Sequence, residues 1–274
     1  MTQDEITTSG YALKAEPAGA WRKFDEMNPV PGYFQFDWLS SAYPDLYHAF
    51  ALSTVGLMDK LNSIVDFSGL DVVDIGAGTG RSSEGAAKRA KKVYAVDAYE
   101  SVVGFGKTRL ERGGIRNVDY IVGDRDRLPF ADSSVDAAIA AWAELNPREA
   151  YRVLKNGGIL VQMGSVPEAL CGEISGVLAP DYPWIGKTIA PEAEFDPSFP
   201  DAVTLADSSV FGGVTVEGPV TIHRFTYIAD YGDYREAAAI TGRLYGPKAR
   251  EYFESRKQST YAWRLQIAIA RVRK

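Results

Sequence analysis

The stretch Val72-Val73-Asp74-Ile75-Gly76-Ala77-Gly78-Thr79-Gly80-Arg81 decides the fold of this chain. An apolar run interrupted by Asp74 passes into glycine at every second position, and a helical pattern follows. Glycine, having no Cβ, lets the backbone turn sharply and lets a ligand approach the main chain. A helix starting near Thr79 or Gly80 directs N–H groups and the positive end of its dipole back at the turn. In an open α/β sheet, such a turn is where a nucleotide-like ligand binds. The spacing is G-x-G-x-G. The dinucleotide fingerprint G-x-G-x-x-G would need its third glycine where Arg81 stands.

Strand and helix patterns alternate on the C-terminal side of the turn. Residues 70–75 read as the first strand, 81–90 as the first helix, and 93–96 as a second strand that stops at Asp97. A carboxylate there, about 20 residues past the glycines, can accept hydrogen bonds from both hydroxyls of a ribose. Ser101 is placed to cap a helix through Arg112, which Gly113-Gly114 end. Residues 118–122 form a third strand. Residues 135–142 form a continuous apolar one, as the middle of a parallel sheet requires. A helix ending at Leu154 and the run Lys155-Asn156-Gly157-Gly158 precede a strand over 159–163. This alternation demands a parallel, doubly wound sheet.

The glycine turn and Asp97 are followed by Gly123-Asp124, then Leu128-Pro129-Phe130 with Asp132 and Asp136, then Arg152-Val153-Leu154-Lys155-Asn156-Gly157-Gly158. In order and spacing they resemble the class I S-adenosylmethionine-dependent methyltransferases, in the branch that holds quinone-biosynthesis and other small-molecule enzymes. The resemblance covers residues 70–164. It implies an α/β, Rossmann-like, doubly wound, seven-stranded and mostly parallel sheet with an antiparallel last strand. It implies that Asp74 and the backbone of Gly76, Ala77, Gly78 and Gly80 hold the methionine part of S-adenosyl-L-methionine. Asp97, with Ala98 beside it, would bind the ribose. Asp124 would accept from the adenine amino group with Arg125 nearby, and the backbone around Ala140 and Ala141 would contact the methionyl amine. One departure is visible. The family often carries a longer stretch with a His or an aromatic pair after the fourth strand, whereas Trp142-Ala143-Glu144-Leu145-Asn146-Pro147 passes almost directly to the next helix. The wall of the acceptor pocket is trimmed there.

Residues 1–66 read as an N-terminal arm and lid helix, and 67–274 as the methyltransferase domain, with a cap insert over 165–212. The N-terminal part is crowded with aromatic residues and broken by Pro29, Pro31 and Pro44. The spacing from Asp45 onward predicts one helix over 44–65. Tyr33, Trp38, Tyr43, Tyr47 and Trp142 are candidate acceptor contacts. The N-terminal rings either pack the helix on the sheet edge or cover the acceptor. Residues 179–201 combine Pro180, Pro183, Pro191, Pro197 and Pro200 with several acids, and inserts of that length are usually functional or mobile. Residues 214–216 and 220–227 alternate as strands, 233–244 and 247–255 read as helices, and 263–272 read as a half-buried final strand.

The net charge of -6, with no Lys/Arg run that marks a nucleic-acid groove, argues against a nucleic-acid partner. The single cysteine, Cys171, excludes an internal disulfide and fits a reduced cytoplasm. No apolar stretch approaches the roughly 20 residues that span a bilayer, so no membrane insertion is expected. The expected partner is a small-molecule methyl acceptor, and a homodimer is left open. No metal-ligand spacing appears, so no metal is expected. A sulfonium methyl group is already a strong electrophile, and a general base is needed only where the nucleophile holds a proton at pH 7. His48, on the first turn of the lid helix, is the candidate base, with His223 in a strand as a weaker one. Two other readings stand beside this one: a noncatalytic module that binds the cofactor or its demethylated product, and an NAD(P)-dependent dehydrogenase, against which Arg81 argues.

Overall fold

The computed structural model describes residues 40–54, 56–165, 174–178, 202–206 and 211–274. Tyr33, Trp38, Cys171 and the proline-rich stretch 179–201 lie outside the described residues. Along the chain run α1 (Pro44–Leu52), α2 (Leu57–Ile64), β1 (Asp71–Ile75), α3 (Arg81–Ala87), β2 (Lys92–Asp97), α4 (Glu100–Arg112), β3 (Val118–Val122) and β4 (Val135–Ala141). Then come α5 (Pro147–Val153), β5 (Leu154–Ser165), α6 (Ser175–Leu178), β6 (Ala202–Ala206), β7 (Val216–Asp230), α7 (Tyr234–Tyr245), α8 (Pro247–Arg256) and β8 (Thr260–Val272).

All the strands among the described residues join one sheet, ordered β3-β2-β1-β4-β5-β8-β7-β6. The pairs β1–β2, β1–β4, β2–β3 and β4–β5 are parallel, and β6–β7 is antiparallel. The sheet is Rossmann-like, with seven core strands; β6 adds an eighth at the edge. The strand order reverses between β1 and β4, and open α/β sheets bind ligands at such a reversal, outside the carboxyl ends of the strands.

The chain divides into two compact units. The first comprises 56–164, 201–225 and 265–274. Its core sets Val73, Ile75 and Val96 with Ala138, Ala140 and Leu160, and the chain end adds Ala268, Ala270 and Val272. Central strands buried on both faces need such continuous apolar runs. The second unit comprises 1–55, 165–200 and 226–264. Its described core is aromatic: Tyr231 stacks on Tyr261 with centroids 6.2 Å apart, and Phe253 meets both rings edge-on at 6.4 Å and 6.0 Å. Among the described residues no helix is long and apolar enough to cross a membrane.

Three local expectations are corrected. The single helix predicted over 44–65 is two helices, α1 and α2. The hydroxyls of Ser53 and Thr54 bond back to the carbonyls of Phe50 and Ala51 at 2.8 Å and 3.0 Å, closing α1 before Gly56 opens α2. Hydroxyls that reach the last turn compete with continuation of the ladder. The helix assigned to a Ser101 cap starts earlier, at Glu100. The carboxylate of Asp97 accepts from the Tyr99 N–H at 3.1 Å, and this local turn swings the chain into α4 ahead of Ser101. The strand expected over 159–163 already begins at Leu154, and its register against β4 shifts between Val135 and Ala137. α5 ends where expected in kind: it opens with Pro147 behind an Asn146 cap, whose side chain accepts from the N–H groups of Arg148 and Glu149.

Candidate functional site

The site lies in the first unit and starts at the end of β1. Gly76, Gly78 and Gly80 all adopt positive φ, at 67°, 55° and 92°. The turn closes on itself and on β2: Gly80 N–H donates to the Ala77 carbonyl at 3.0 Å, and Ala77 N–H donates to the Val96 carbonyl at 3.0 Å. Asp97, at the end of β2 and 9% exposed, faces the turn. Its Oδ2 accepts from Gly78 N–H at 2.9 Å and its Oδ1 from Tyr99 N–H at 3.1 Å.

Asp74 lies under the turn, fully buried. Its Oδ2 accepts from the hydroxyls of Ser82 and Ser83 at 2.7 Å and 2.5 Å, and Oδ1 receives no hydrogen bond from the described residues. Burial pushes its carboxyl up to about 6; the two serine hydroxyls and Arg81 oppose that shift, and Asp97 adds to it. The sign of the resulting pH dependence follows. The folded chain holds this proton more tightly than the unfolded one, so the contribution of Asp74 to stability is greatest at low pH. It is lost as pH rises from about 4 through about 6. Relative to the Asp74→Asn variant, the ligand-free protein should therefore lose about 1 kcal/mol between pH 5 and pH 6. Parallel denaturant titrations of the two proteins at both pH values would measure this; a constant gap would mean that Asp74 is not a buried, titrating acid.

The remaining walls come from the ends of β3 and β4. Asp124 is exposed, and its Oδ1 accepts from Asp126 N–H at 2.8 Å. Arg125 forms an ion pair with Glu144, and Asn146 donates to Asp126 Oδ1 at 2.8 Å, so the loops after β3 and β4 are tied twice. Ala141 ends β4 and is buried; Ala98, past β2, is exposed. A Cβ on Gly76 would lie 2.5 Å from that of Ala143, which locks the turn against the loop after β4. Trp142 takes a φ of 53°, rare for a bulky side chain, with its N–H held by the Met163 carbonyl at 2.8 Å. The guanidinium of Arg81 rests over its ring, 4.5 Å from the centroid.

Asp74, Gly76, Ala77, Gly78, Gly80, Asp97, Ala98, Asp124, Arg125, Ala141 and Trp142 thus all belong to one unit, along the carboxyl ends of β1 to β4. His48, Tyr43 and Tyr47 belong to the other unit. His48 is buried there on α1, at 3% exposed, and Tyr43 and Tyr47 are half-buried. Sequence reasoning missed Ser82 and Ser83. Their signal was a polar pair opening a short alanine-rich helix, one turn beyond a buried acid.

A strand-order reversal crowned by a glycine turn and a buried carboxylate is the arrangement at which open α/β sheets bind nucleotide-like ligands. Residues 72–158 match the family model described as a methyltransferase domain. The chain is 32% identical over 164 residues to a ubiquinone/menaquinone biosynthesis C-methyltransferase of Bordetella avium, covering 51% of this chain and 61% of that one. The match thus spans less than two thirds of that relative's length. A protein of the same description from Chromobacterium violaceum is 29% identical over 205 residues, covering 70% of this chain and 80% of that one. Among solved structures, the YcgJ protein of Bacillus subtilis superposes with a TM-score of 0.49 at 18% identity, over 81% of this chain and 98% of that one.

Proposed function

We propose that this chain transfers a methyl group from S-adenosylmethionine to a small-molecule acceptor with an aromatic or apolar body, by in-line displacement. The observation that carries the reading is the carboxylate of Asp97, buried at the end of β2 against the glycine turn, from whose Gly78 N–H it accepts. That is the chemistry a ribose diol requires. The unsatisfied buried oxygen of Asp74 fits the same group, since an incoming cationic amine would stabilise its charge. S-adenosylmethionine brings an electrophilic methyl group, so the protein has to align two reactants and exclude water. The turn 76–80 receives the methionine part, Asp97 orients the sugar, and Asp124 and Arg125 stand at the base end. The indole of Trp142, backed by Arg81, offers an apolar face for a flat acceptor. The quinone-methylating relatives favour a quinol-like acceptor.

Calorimetric titration with S-adenosylhomocysteine and with NAD, followed by transfer of a labelled methyl group to prenylated quinols and to a small-molecule extract, tests the proposal. Binding of the sulfur nucleoside with labelled product supports it. Binding of NAD alone overturns it, and binding without transfer to any acceptor would mark a noncatalytic module.

A further inference from the structure

The carbonyls of the glycine turn are held by two side chains that lie outside it. Tyr120, on β3, donates its hydroxyl to the Gly78 carbonyl at 3.2 Å. Arg109, buried on α4, donates Nε–H to the Thr79 carbonyl at 2.9 Å and Nη1–H to Glu84 Oε2 of α3 at 2.6 Å. In a trans peptide the carbonyl of one residue and the N–H of the next point in opposite directions. A donor on the Gly78 carbonyl therefore sets the direction of the Thr79 N–H, and a donor on the Thr79 carbonyl sets that of Gly80. Asp97 already fixes the Gly78 N–H from the other side. Three side chains from β2, β3 and α4 thus determine three successive peptide planes.

Two glycines keep space for the phenol. A Cβ on Gly80 would collide with the Tyr120 hydroxyl and lie 3.1 Å from Arg109 Nη2. A Cβ on Gly106, within α4, would collide with the same ring and hydroxyl. Glycine inside a helix is less favourable than alanine, so room for this one side chain is obtained at the expense of α4. A tyrosine that merely filled space would not need its oxygen seated on a main-chain carbonyl. Burial and the nearby charge of Asp74 also push the phenol far above its ordinary range, so it stays a donor at every physiological pH.

We propose that Tyr120 and Arg109 are positioning residues for the nucleoside: by holding the carbonyls of Gly78 and Thr79 they orient the peptide planes of the turn that receives it. This rests on the reading that the turn binds S-adenosylmethionine. The test is calorimetric titration of S-adenosylhomocysteine into the unaltered protein, Tyr120→Phe and Arg109→Lys, well below their melting temperatures, with amide hydrogen exchange of Thr79 and Gly80. Tyr120→Phe keeps the ring and removes one hydrogen bond. It should raise Kd about five-fold and speed exchange at those two amides. Arg109→Lys keeps the charge but loses the guanidinium fork that serves Thr79 and Glu84 together; it should act in the same direction, and it decides the matter if Tyr120→Phe does not fold. Unchanged affinity overturns the inference even where the melting temperature falls, because lower stability alone is what a space-filling role would give. If the unaltered protein does not bind S-adenosylhomocysteine, the proposed function falls and this inference with it.

Discussion

Asp97→Ala should weaken S-adenosylhomocysteine binding by about 2 kcal/mol or more, some thirty-fold, because it deletes a charged acceptor in a nearly water-free position. The substitution acts twice. It removes the group proposed to hold the sugar, and it releases the Gly78 and Tyr99 N–H groups that now donate to that carboxylate. The turn and the start of α4 both lose a tether, so the ligand-free protein should also become less stable, by about 1 to 2 kcal/mol. Asp97→Asn separates the two effects. It keeps one acceptor oxygen and the side-chain volume while removing the charge, so it should spare stability more than affinity. Calorimetry on the three proteins, beside urea titrations of each, would read both quantities. Unchanged affinity in Asp97→Ala would remove this residue from the site, and the proposed function would lose its main support.

Gly80→Ala should destabilise the fold by about 2 to 4 kcal/mol. About 1 to 2 kcal/mol comes from a Cβ at positive φ, and a similar amount from forcing an atom into a filled space. The backbone there has a φ of 92°, and the new methyl group would meet the Tyr120 hydroxyl. The double variant Gly80→Ala with Tyr120→Phe provides an internal check. Removing the hydroxyl relieves the collision but leaves the backbone cost, so the pair should be less destabilised than the sum of the single changes. Strict additivity in denaturant titrations would show that the two groups do not meet, and that the third glycine is required by backbone geometry alone.

Much of the sheet was legible because its signals are local. The run read as a strand over 135–142 is apolar apart from Asp136, as a strand covered on both faces requires, and β4 occupies Val135–Ala141. The alternating glycines, with an acid two residues before the first of them, placed the turn at the end of β1. What escaped depends on contacts between residues distant in sequence. Nothing near Tyr120 announces that its hydroxyl ends on Gly78, 42 positions away, nor does the sequence around Arg109 announce Thr79, 30 positions away. Sequence reasoning also merged α1 and α2, since the apolar spacing continues through Ser53 and Thr54. Only the hydroxyl bonds to the preceding turn reveal the stop. The edge strand β6 lies within the cap insert expected over 165–212, and its five residues become a strand through pairing with β7 rather than through their own pattern.

The left-handed backbone at Trp142 limits which residues could replace it on the loop after β4. Valine, isoleucine and threonine are branched next to the main chain and fit poorly in that conformation, while glycine, asparagine and aspartate enter it readily. A substitution library at this position would thus return mostly small polar residues and glycine among its folded members, and a compact branched aliphatic would have to be introduced at a different residue.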